Sequence, residues 1–105
     1  MLLAPRVAAL IAAHCPPERA QAVRDLLLTG CSTTLPGVRP GWLDLIERIQ
    51  AGVLRRSGWD PAILAAQVRL ARTDWRDLLM AAGFGEDLTA HARWLDGALR
   101  SGRLD

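Results

Sequence analysis

The 105-residue sequence predicts an all-α fold, a compact single-domain bundle of five or six helices. Apolar residues recur with the 3.6-residue helical period, Pro and Gly stand where helices start and stop, and no stretch alternates as a strand or carries a hairpin turn. Half of the residues are apolar and 23% are charged, a globular composition that excludes a disordered chain.

The first helix opens at Pro5 and places Leu3, Val7, Leu10, Ile11 and His14 on one face. Pro16-Pro17 ends it, and Pro17 begins a second, with Glu18 in its first turn, Ala20, Val23 and Leu27 inward, and Gly30 as its stop. Residues 31–40 have neither helical nor strand period and read as the one long loop. Trp42, Leu45, Ile46, Ile49 and Val53 then form the strongest amphipathic stripe, with Asp44, Glu47, Arg48 and Arg55 on other faces and Gly58 as the left-handed terminator.

Trp59-Asp60-Pro61 is a helix-start signal: Asp60 caps, Pro61 takes the first position, and Trp59 staples against Leu64. Leu64, Val68, Ala71, Trp75, Leu78 and Ala82 keep the period without Gly or Pro, which favours one continuous helix over 61–82. The competing reading breaks it at Thr73-Asp74, either of which caps a new helix. Gly83 and Phe84 then suit a Schellman ending with Leu79. A final helix over about 86–100 turns Leu88, His91, Leu95, Ala98 and Leu99 inward, and residues 101–105 read as a frayed tail. Asp87 and His91 stand at i, i+4 in it.

All 13 cations are Arg, there is no Lys or Tyr, and the net charge is only +2. So small an excess argues against strong nonspecific attraction to nucleic acid or anionic lipid. The apolar run 7–13 ends at His14-Cys15-Pro16-Pro17 without an export cleavage site, and Leu28-Thr29-Gly30-Cys31 lacks the long apolar stretch a lipoprotein signal needs. The expectation is a cytoplasmic protein with no membrane association. Cys15, Cys31, His14 and His91 are not spaced as paired metal ligands, so no metal or cofactor is expected and the thiols read as buried and reduced.

No catalytic residue stands out. His14 and His91 both fall on apolar stripes, where core histidines sit, and neither Cys lies in a recognisable nucleophile turn. Gly83-Phe84-Gly85 lacks the strand and the further glycine or lysine of a phosphate loop. On a continuous helix Arg69, Arg72 and Arg76 share an arc of about 60°, and Arg55-Arg56 closes the preceding helix. Such a row suits phosphates or an acidic partner, and equally a solvated face and a helix C-terminus.

Apolar residues are also in excess. Leu28, Leu35, Leu43, Leu54, Leu70 and Met80 fall off the main stripes, and Ile63, Leu70 and Ala81 form a second narrow face on 61–82. They either complete a core wrapped round one central helix or form a contact patch, whereas Trp42 and Trp75 read as core. The leading expectation is a protein-protein interaction or accessory module, joined to a protein partner or to itself through an apolar patch edged with arginine: Ile63, Leu70, Arg55, Arg56, Arg69, Arg72 and Arg76. The alternatives are nucleic-acid or phosphate-ligand binding by the Arg row, which is not favoured, and a Cys/His-dependent enzyme.

Overall fold

A computed structural model describes residues 3–32, 35–39 and 42–104. They form α1 Pro5–His14, α2 Pro17–Gly30, α3 Leu43–Ser57, α4 Pro61–Ala82 and α5 Ala90–Ser101, with no strand among the described residues. Proline opens α1, α2 and α4, where a missing N–H costs nothing. Asp60 caps α4, its Oδ1 accepting from the N–H groups of Ala62 and Ile63. Gly58 ends α3 in the left-handed conformation, and Trp59 follows at φ 70°, a strained value for a non-glycine residue. Its ring is buried, which offsets that strain.

α3 is the central helix. Every residue from 46 to 54 is buried, including Glu47, Arg48 and Gln50. α4 packs against it and also holds α2, while α1 lies on α5. Glycine permits two of the close approaches: a Cβ on Gly52 would lie 2.8 Å from Leu78, and one on Gly30 would overlap the Val68 side chain. Gln50 ties the start of α1 and the end of α2 to α3, its Oε1 accepting from Ala4 N and its Nε2 donating to the Cys31 carbonyl. The apolar surplus divides: Leu35 and Leu54 join the core, Leu28 and Leu70 are half-buried, and Leu43 and Met80 stay exposed.

Several expectations change. α4 is not continuous: Asp74, at φ −157° and ψ 98°, breaks it, and the Asp74 carboxylate accepts from Arg76 N to start the second half. A capping side chain there outcompetes an unbroken apolar period. α5 begins at Ala90, not near residue 86, because Asp87 holds Thr89 and Arg93 in a local turn instead of pairing with His91. Trp42 is 44% exposed and is not core. The long loop docks through buried Leu35 and Val38, and the tail packs instead of fraying, with Leu104 buried. The loop positions 33, 34 and 40 and the last residue of the tail lie outside the described residues.

The expected Schellman ending of α4 forms: Gly83 N bonds the Met80 carbonyl and Phe84 N the Leu79 carbonyl. It turns Phe84 into the core as the largest fully buried side chain, against the rings of His91 and Trp94. This turn sets the geometry of the site below.

Candidate functional site

The arginines singled out in the sequence do not form one row. The break at Asp74 takes Arg76 off the register of Arg69 and Arg72. Arg72 donates to the Gly30 carbonyl at the end of α2, and Arg55 donates to the Ala82 carbonyl at the end of α4 while lying over the Phe84 ring. Both therefore satisfy helix C-terminal carbonyls, where a cation complements the helix dipole. Arg56 bonds Gln67, Arg69 is exposed, and Arg76 stacks 5.2 Å from the Trp75 ring centroid. Ile63 is 45% exposed and Leu70 is half-buried.

A cleft of about 430 Å³ opens between α3, the second half of α4 and the turn that follows it. Trp75, Leu79, Met80, Gly85 and Leu88 give it an apolar lining, and Arg48 and Arg76 are its charged members. Met80 and Leu88 are 57% and 66% exposed, so apolar surface meets water at the lining. Arg48 is only 7% exposed. One of its terminal nitrogens donates to the Phe84 carbonyl at 2.7 Å, whereas its buried Nε has no partner. None of the ion pairs among the described residues includes Arg48, and no carboxylate lines the cleft.

Of these lining residues the sequence marks only Met80 and Arg76 as surface candidates. In the sequence Arg48 falls off the apolar α3 stripe, on another face. It is buried because the turn after α4 folds back over that side, a contact between segments far apart in the chain.

A second polar cluster joins α1, α3 and α5. The Arg6 guanidinium grips Glu47 with two bonds, at 2.6 Å to Oε1 and 3.2 Å to Oε2, and His91 Nε2 lies 3.0 Å from the same Oε1. Asp44 Oδ1 is 3.7 Å from His91 Nε2. Burial pushes the Glu47 carboxyl up, but bonds from Arg6 and His91, and their charges, outweigh it and hold its pKa below the ordinary 4.5. Asp44, Glu47 and His91 bring their donor atoms within 4.8 Å of one another, the closest approach to a metal-ligand set among the described residues. Arg6 already takes both Glu47 oxygens and places a positive charge there, which opposes a cation. The cluster acts as an interhelical tie. Asp44-x-x-Glu47 is legible as an i, i+3 pair; its meeting with Arg6 and His91 is not.

The cysteines and histidines do not meet as pairs. His14 Nε2 lies 2.8 Å from the Leu99 carbonyl, and the Cys15 thiol contacts the Pro16 carbonyl. Burial pushes the Cys31 thiol up to about 12, against a smaller lowering by Arg72, and burial raises Cys15 too. Both are expected to stay unlabelled by a thiol reagent at about pH 8 in the folded protein and to react fully once unfolded. A thiol that reacts quickly in the native state would reverse this reading.

The described residues form an all-α helical protein with an apolar, arginine-bearing cleft, and no helix among them is long and apolar enough to cross a membrane. No protein-family model, curated protein or solved structure matches the chain.

Proposed function

We propose that the chain is a small helical protein-interaction module, and that its cleft holds an apolar segment of a protein partner. The observation that carries this reading is the cleft lined by Trp75, Leu79, Met80 and Leu88, two of them more than half exposed, with Arg48 and Arg76 among them. Exposed apolar side chains around a concave, arginine-bearing surface are the anatomy of an interface anchor site. Relative to the surface proposed from sequence, Arg76 is retained, and the weight moves from Ile63 and Leu70 to Met80 and Leu88.

A partner other than a second copy suits this surface. In a two-fold dimer built on it, each cleft would face its own copy, and Arg48 and Arg76 would meet arginines. The raised thiols of Cys15 and Cys31 disfavour the thiol-enzyme reading, and the carbonyl bonds of Arg55 and Arg72 disfavour a phosphate-binding row. Two buried, unpaired cysteines also suit a reducing, cytoplasmic setting.

The test is the double variant Met80→Glu, Leu88→Glu. Both side chains are mostly exposed, so thermal stability is expected to stay within about 1 kcal/mol of the parent. Partners cross-linked to the parent in host lysate and identified by mass spectrometry are expected to be lost, while light scattering shows a monomer throughout. A monomer whose cross-linked partners are unchanged by the substitutions would remove the proposal, as would a dimer that persists in the double variant.

A further inference from the structure

We infer that the cleft selects a carboxylate, with Arg48 as its receptor, so that the partner segment anchors by an acidic side chain set among apolar ones. The inference rests on the interaction reading above and adds to it the chemistry of the anchor.

The argument begins with the buried charge. A guanidinium removed from water is costly unless it is paired and its N–H groups are satisfied. Among the described residues Arg48 has one hydrogen bond, to the Phe84 carbonyl, an Nε without a partner, and no ion pair. The end of α4 supplies some compensation, since a helix C-terminus carries about half a negative charge. Arg55 already occupies that end through the Ala82 carbonyl. Two full positive charges therefore face about half a negative one, and Arg76 adds a third at the cleft.

An anion would balance this charge. The cleft is where one fits, because Arg48 lines it and no Asp or Glu among the described residues does. Its volume of about 430 Å³ lies at the lower end of the range for sites that engulf small groups, room for a few side chains and not for a whole helix. The apolar part of the lining favours apolar residues beside the acid. Its source is an acidic side chain and not a chain end. Chain-end carboxylates are captured by runs of successive free backbone N–H groups; those of Gly83 and Phe84 are engaged in ending α4, so the cleft-lining Gly85 has no free N–H before it to build such a run.

The alternative role for Arg48 is a strut that only holds the Phe84 carbonyl. The two roles predict opposite behaviour of Arg48→Met, which keeps the apolar stem and removes the charge. A strut loses thermal stability when removed. A receptor held at a cost to folding leaves the midpoint unchanged or higher.

The experiment titrates the intact protein with acetyl-Leu-Glu-Leu-amide, its Gln counterpart, and acetyl-Leu-Leu with a free C-terminal carboxylate, following Arg48 Nε–H and Trp75 Nε1–H by NMR. The Glu peptide is expected to bind about tenfold more tightly than the other two, since a charge-assisted bond is worth about one decade or more. In Arg48→Met the preference is expected to vanish with the thermal midpoint retained. Arg48→Lys, which keeps charge but not the fork, is expected to retain part of it. Equal binding of the Glu and Gln peptides at the cleft would overturn the carboxylate inference and leave the interaction module standing. Preference for the chain-end peptide, a preference that survives Arg48→Met, or a marked fall in its midpoint would overturn it as well. Absence of any response at Arg48 and Trp75 would overturn both readings.

Discussion

Phe84→Ala is expected to destabilise the protein by about 3 to 5 kcal/mol, out of the roughly 5 to 15 available to a domain of this kind. Phe84 is fully buried, with ring centroids 5.9 Å from Trp94 and 6.4 Å from His91 and the Arg55 guanidinium 5.2 Å above its face. Its backbone N–H ends α4, and its carbonyl receives Arg48. Truncation thus empties a space enclosed by α3, α4 and α5, and the fixed turn prevents those helices from closing over it. Urea unfolding with a two-state fit measures the loss. Phe84→Leu, which refills part of the volume, is expected to cost about 1 to 2 kcal/mol. A loss below about 1 kcal/mol for the Ala variant would mean that the turn after α4 does not pin the core.

Glu47→Gln is expected to cost about 2 to 3 kcal/mol at neutral pH and much less in acid. The Glu47 side chain is 11% exposed and accepts from both Arg6 and His91. Because the Arg6 side chain is 40% exposed, water screens that half of the network, and the figure is set below that of a fully buried pair. The sign of the pH effect follows from the lowered carboxyl pKa. Native Glu47 resists protonation more than in the unfolded chain, so its contribution is fully present above the ordinary 4.5 and is lost as pH falls through the lower native value. Unfolding midpoints measured from neutral pH into acid are expected to converge for parent and variant. A gap that stays constant across that range would mean that the Glu47 charge does not stabilise the fold.

Legibility in the sequence followed the range of the interaction. Pro5, Pro17 and Pro61 open helices, Asp60 caps one, and Gly58 and Gly83 end two, all as the local pattern predicts. Each of those signals acts within a few residues. The break at Asp74 was legible only as an alternative, because period and cap compete at the same place. Trp42 misled since a periodic position does not say whether a neighbouring helix covers it, and here its ring lies beneath Arg39 while remaining 44% exposed.

The candidate site was less legible, for the same reason. Arg55 and Arg72 read as surface cations until their carbonyl partners, 27 and 42 residues away in sequence, were in view. Arg48 lies on the polar side of an amphipathic stripe, so its burial depends wholly on the turn after α4 folding back.

Helical class, most helix ends and the lack of strand pattern are written in short stretches of sequence, since period, capping and backbone dihedral preferences are local. Which polar residues lose their water depends on how the helices pack. That packing encloses Glu47 with two side-chain partners and Arg48 with a single backbone carbonyl, and that desolvation belongs to the assembled helices and to no single one of them.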